Sequence, residues 1–85
     1  MKVEVISTWN LVKDQDNRSK DLLIREGDIV EVIAGETDIH IRGTVSKLTC
    51  DEMYILTSKD ELYSVHKERL KDIRRIRGAR RFSLY

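Results

Sequence analysis

Eight basic side chains gather near the end of this 85-residue chain: Lys67, Arg69, Lys71, Arg74, Arg75, Arg77, Arg80 and Arg81. Arginine outnumbers lysine six to two among them, and its planar fork of donors suits phosphate and stacking contacts better than an ammonium does. Such a run could neutralise the phosphates of RNA or DNA, with Tyr63, Phe82 or Tyr85 at hand to stack on bases. Residues 67–81 hold eight basic and two acidic side chains, a local balance of +6, against eight basic and thirteen acidic elsewhere, a balance of −5. No other feature of the sequence is so far from random. The same numbers carry a second reading. The thirteen acidic residues could meet these cations within the domain or across a contact between copies, and a net charge of +1 sets up no long-range field. Two partner classes are therefore expected: nucleic acid, RNA foremost, bound through the eight residues named, or alternatively a protein or second copy of the chain with no nucleic-acid role.

Other chemistry finds little purchase. No Gly-rich phosphate loop, nucleophile elbow or paired-histidine metalloprotease motif is present. His40 and His66 stand 26 residues apart, Cys50 is the sole cysteine, and no further ligand sits at metal spacing. The histidines are expected to face solvent from strands and Cys50 to lie in a turn. No pair of carboxylates is set for acid–base work in a pocket, so neither a catalytic residue, a metal nor a cofactor is expected, and the chain reads as a non-enzyme.

The elements that must position the basic run are short strands. Eighty-five residues make one domain, residues 1–85, hiding roughly 60% of the surface the unfolded chain exposes. In residues 2–11, Val3, Val5, Trp9 and Leu11 share one parity, the period of a strand with one buried face, and Trp9 is expected in the core. Residues 13–21 contain no apolar side chain and are expected as an exposed loop. Leu22 to Ile24 return to the core, and Arg25-Glu26-Gly27-Asp28 reads as a turn. Ile29–Ala34 is rich in β-branched residues; Ile39–Leu48 alternates, with Gly43 suggesting a bend or bulge. Met53–Thr57 and Leu62–His66 follow across polar turns, with Tyr54 and Tyr63 expected in the barrel wall. Turn signals about 8–12 residues apart mark a meandering barrel or sandwich, and closure into a barrel would hide the sheet edges.

Residues 67–77 admit two readings. As a helix, Leu70, Ile73 and Ile76 fall at i, i+3, i+6, with Gly78 as a C-cap. Alternatively, Lys67–Leu70 is one tight helical turn and Lys71–Arg77 a final strand. The second is preferred, because a four-strand meander needs a closing partner, although it sets Ile73 and Ile76 on opposite faces.

The stretch from Gly27 to Gly35, followed by Arg42-Gly43-Thr44-Val45-Ser46, resembles the opening hairpin of SH3-like barrels, including KOW-type modules. From Gly43 through Met53–Leu56 to Tyr63–His66 the chain is also similar to Sm-like proteins. The resemblance covers residues 27–77 and implies a mainly β fold: a small SH3-like or Sm-like barrel of five to six short antiparallel strands with a helical turn or helix near 67–77. Sm proteins place an Asp six residues after the glycine, then a Met-Asn pair, to hold uracil. Here Thr49 stands at the first position, Asp51 comes two residues later, and Glu52 and Met53 replace the pair, so no uracil-contacting residue carries over. The single cysteine, an opening stretch without a signal-peptide pattern, and no apolar run near the ~20 residues of a membrane span predict a cytoplasmic domain with no membrane partner.

Overall fold

The computed structural model describes residues 8–15 and 18–78. Among these residues seven strands form: β1 (Thr8–Gln15), β2 (Arg18–Arg25), β3 (Ile29–Ala34), β4 (Ile39–Leu48), β5 (Glu52–Leu56), β6 (Leu62–His66) and β7 (Leu70–Arg77). One turn of 3-10 helix, Lys67–Arg69, precedes β7. Strands β1 and β2 make a two-stranded antiparallel ribbon; the others form a five-stranded antiparallel sheet in the order β6-β5-β4-β3-β7.

β3 lies inside the sheet, between β4 and β7, and its sequence suits two-sided pairing. Its residues alternate strictly, with Val30, Val32 and Ala34 buried and the intervening side chains half-buried, as a β-branched run on a pleated surface should. It pairs β4 on one side and β7 on the other. The return of β7 to β3 depends on the helical turn. His66 caps that turn, its Nδ1 accepting from the Glu68 N–H at 3.2 Å. The Arg69 carbonyl accepts from the Gly35 N–H at 2.9 Å, and Gly35 adopts the positive φ of 79° that the β3–β4 turn requires. The strand reading of residues 71–77 thus holds: Ile73 is buried opposite Val32 and Ile76 is exposed.

Three expectations need correction. The sheet does not close into a barrel. β6 and β7 remain its outer strands, and the inner face is covered by the β1–β2 ribbon instead. Trp9 and Ile24, opposite each other in the ribbon's register, join Val30, Val32, Ile41, Val45, Leu48, Met53, Ile55, Val65 and Ile73 in one core. The Trp9 indole N–H donates to the Thr49 carbonyl at 2.6 Å, fixing the ribbon to the β4–β5 turn. Among the described residues there are seven strands, in sheets of five and two, rather than five to six in one barrel. Finally, the described part of 13–21 is strand rather than loop: Lys13–Gln15 and Arg18–Asp21 continue the β1–β2 ladder, from Leu11 opposite Leu22 out to Gln15 opposite Arg18. Absence of apolar side chains says what a segment cannot bury; an antiparallel ladder needs only backbone groups, and the buried base of the ribbon sets its register.

Gly43 has a steric reason rather than the bend expected of it. A Cβ there would press on the Leu56 backbone and lie 2.8 Å from Ile55 Cγ2. The irregularity in β4 lies further on, between Val45 and Lys47.

Candidate functional site

Strand β7 threads most of the basic segment past the carboxylates of its neighbours. On the outer face of the sheet, Arg74 stands opposite Glu31 of β3 and reaches it at 3.3 Å. Lys71 bonds Asp38 of the β3–β4 turn at 2.6 Å, and Lys67 meets Asp51 of the β4–β5 turn at 3.2 Å. These lysines hold the Asp38 and Asp51 carboxyls below the ordinary aspartate range, first by hydrogen bonding and then by charge. Arg75 does something different. Its guanidinium donates to the Leu23 carbonyl of β2 at 2.9 Å and lies 3.9 Å from the buried Asp28 carboxylate. Asp28 also accepts from the Arg25 N–H at 2.9 Å and so closes the β2–β3 turn. Arg75 is therefore a tether between ribbon and sheet.

Of the eight basic residues singled out by the sequence, four are engaged with carboxylates in this way. Arg69 and Arg77 are exposed and have no ion pair among the described residues. Arg80 and Arg81, like Phe82 and Tyr85, lie outside the described residues. The structure does not assemble the six described cations into one surface: Lys67 sits beside the β4–β5 turn, Lys71 beside the β3–β4 turn, Arg74 on the outer sheet face and Arg75 against the ribbon. A pair of exposed charges of this kind contributes about 0–1 kcal/mol.

The opposite edge presents different chemistry. β6 reads Leu62-Tyr63-Ser64-Val65-His66, with no Asp, Glu, Lys or Arg, and it pairs β5 without a register shift. No described strand pairs its other side. The hydrogen bonds at its two ends fix which backbone groups are free. The Thr57 N–H donates to the Glu61 carbonyl and the Lys67 N–H to the Asp51 carbonyl, so residues 61, 63, 65 and 67 direct their polar groups toward β5. By alternation, the N–H and C=O groups of Leu62, Ser64 and His66 point away from the sheet. The same three side chains stand on the outer face, where Leu62 is 59% exposed and its cross-strand neighbour Leu56 is 40% exposed.

A polar network stiffens this side of the sheet. The Glu52 carboxylate accepts from the Tyr54 and Ser64 hydroxyls, both at 2.8 Å. The Ser64 bond, and then the Tyr54 bond, hold the Glu52 carboxyl below its ordinary range, and the bond to Glu52 and its charge hold the Tyr54 phenol above its own. Tyr63 donates to Glu61, which raises the Tyr63 phenol likewise. Sequence reasoning passed over β6 as a site. Its five residues free of Asp, Glu, Lys and Arg do not mark it in sequence, since residues 5–12 and 53–58 are longer runs of the same kind.

His40 projects from β4 opposite Ile33, and Cys50 is exposed in the β4–β5 turn. Among the described residues no three His, Cys, Asp or Glu side chains gather where a metal could bind. An open cleft of about 490 Å³ lies between the ribbon and that turn, lined by Trp9, Leu11, Thr49, Cys50 and Lys67. No described helix is long and apolar enough to cross a membrane. No family model, curated protein or solved structure matches the chain.

Proposed function

We propose that the chain is a non-catalytic binding domain whose partner is a protein, taken up as an added strand along β6. The observation that carries this reading is the free ladder of Leu62, Ser64 and His66 on a strand without charge or bulge. Main-chain bonding along such an edge supplies affinity, and alternate side chains supply selectivity. Exposed Leu62 and Leu56, beside the edge on the outer face, would receive apolar side chains of an incoming strand. The strand order supports kinship with SH3-like and Sm-like domains: a four-strand meander, one helical turn, then a strand laid back on the first. The free, exposed Cys50 supports a reducing, cytoplasmic setting.

The test is selection of binders from a library of unstructured peptides, followed by amide hydrogen exchange on the complex. Protection appearing at Leu62, Ser64 and His66 is the expected result; protection confined to β7, or no peptide binding at all, would overturn the proposal.

A second reading keeps nucleic acid as the partner. It rests on Arg69 and Arg77, exposed and without an ion pair among the described residues, and on Arg74, which is 71% exposed and weakly held. Phosphates could displace the carboxylate from Arg74 and recruit Arg77. Oligonucleotide titrations at low salt test this reading. It requires binding that weakens as salt rises and falls when Arg74 and Arg77 become Ala.

A further inference from the structure

We infer that the strand β6 accepts is β6 of a second copy of this chain, antiparallel, with the twofold axis passing beside Ser64. This rests on the added-strand reading above and names its occupant.

The edge is self-complementary in one register. With Ser64 facing Ser64 of the second copy, Leu62 faces His66 and His66 faces Leu62. All three outward-pointing residues then face outward-pointing residues, and each facing pair exchanges both of its N–H···O=C bonds. A slip of one residue sets outward groups against residues whose bonds already go to β5. A slip of two brings either Asp60 or Glu68 opposite the ladder. Asp60 lies in the β5–β6 turn with a φ of 59°, and Glu68 lies in the helical turn, so neither can continue a strand.

Side chains agree with the same register. Tyr63 faces Val65 on the inner face, an aromatic against a β-branched neighbour, which is a favourable cross-strand pair. Just past the strand ends, Glu61 of one copy comes opposite Lys67 of the other. Within the facing strands there is no charge to bury or repel.

The alternative joint between copies, β6 of one on β7 of the next, is disfavoured by β7 itself. That strand carries Lys71, Asp72, Arg74, Arg75 and Arg77, breaks register twice against β3, and has Arg75 bonded to the β2 backbone. Such a head-to-tail joint would also propagate to rings or chains, whereas the twofold joint stops at two copies.

The experiment is sedimentation of the whole chain over about a hundredfold range of concentration, where mass action must shift a reversible dimer. The mass should rise from one chain to two and stop there. Ser64→Pro removes an outward N–H that no internal bond uses, a position where an edge strand tolerates proline. It should keep the fold, read by circular dichroism, and sediment as one chain. Should Ser64→Pro unfold, a second variant decides. In a Cys50→Ser background, Ser64→Cys should bridge to its twofold mate on oxidation or with a short thiol-bridging reagent, the facing Cα atoms being about 5.5 Å apart. Tyr63→Cys should not, because its mate lies diagonally at about 7–8 Å.

Species larger than two copies, Ser64→Pro that still dimerises, or Tyr63→Cys that bridges better than Ser64→Cys would each overturn the inference. A single-chain mass throughout, with peptides still protecting Leu62, Ser64 and His66, removes the second copy and leaves the added-strand function standing. Fast-binding peptides aside, strong protection of those three amides in a single-chain species removes both, since the edge is then not free.

Discussion

β6 and β7 are the two outer strands of the same sheet, and they treat their exposure in opposite ways. β7 is eight residues long, five of them charged, and two register breaks separate stretches of its pairing with β3. Its cations are held by Asp38, Glu31 and Asp28, and Arg75 reaches across to the β2 backbone. Charge, bulges and a covering neighbour are the usual means by which a sheet edge is kept from pairing with other chains. Among the described residues, β6 has no Asp, Glu, Lys or Arg, no register shift against β5 and no strand on its other side. In the fold, four of the basic residues expected to bind phosphate, Lys67, Lys71, Arg74 and Arg75, lie beside carboxylates of neighbouring elements. The strand that looks unremarkable in sequence is the edge that no described strand pairs.

The contrast can be broken most severely through one apolar residue on each edge. Ile73 is 2% exposed and anchors β7 against Val32, so Ile73→Ala should cost about 2–5 kcal/mol by the usual range for such truncations. Leu62 on β6 is mostly exposed, and Leu62→Ala should change stability by no more than about 0.5 kcal/mol. Urea unfolding of the two variants measures both. Equal losses would mean that Leu62 is covered and the edge is not open.

Adjacent prolines along β6 give a sharper comparison at somewhat smaller cost. Tyr63→Pro removes a ladder bond to β5, and Ser64→Pro removes a donor that faces outward. The first should be the less stable by about 1–3 kcal/mol, the penalty of orphaning a buried ladder partner. A thermal melt of each is sufficient. The reverse order would invert the assignment of free and bonded backbone groups.

Within β7 the arginines should separate. Arg75→Ala leaves the buried Asp28 and the Leu23 carbonyl without their shared cation and should cost about 1–2 kcal/mol, in the range of charged hydrogen bonds. Arg74→Ala breaks only an exposed pair with Glu31 and should cost about 0.5 kcal/mol or less. If Arg74 proves the more important in chemical unfolding, the tether has been misassigned.

The smallest effect concerns pH. Asp38 and Asp51 have folded-state carboxyls depressed by Lys71 and Lys67. Their contribution to stability is therefore present above the unfolded aspartate value and is lost as pH falls through the folded value. Both sites are open to solvent, so the change in stability should be slight, and carboxyl carbon NMR is the better readout. Lys71→Met should raise the Asp38 midpoint and leave Asp51 unmoved; Lys67→Met should do the converse. A shift of both carboxyls in either variant would show that the pairs do not act separately.

Much of the sheet could be read directly from residue order. The β-branched run Ile29–Ala34, the alternation from Ile39 to Val45, and the polar turns around Gly35 and Asp60 mark where β3 to β6 lie. These are local signals, because a strand's faces follow from a period of two. The final strand was legible only through the need of a meander for a fifth member; the spacing of Leu70, Ile73 and Ile76 suited a helix equally well. Residues 13–21 misled because hydropathy reports burial and not pairing.

The sequence by itself determined a mainly β domain, its strand alternation, Trp9 as a core residue and the charge imbalance of its C-terminal segment. Tertiary structure alone decided which groups those cations meet within the fold. Lys71 meets Asp38 across 33 positions, Arg74 meets Glu31 across 43, and Arg75 meets Leu23 across 52. It also decided which strands end the sheet and that the ribbon, rather than barrel closure, covers the core. The physical reason is common to all of these. A strand's faces are set by its own residues, but the partner beside it is set by strand order, and strand order emerges only when distant segments bury one core together.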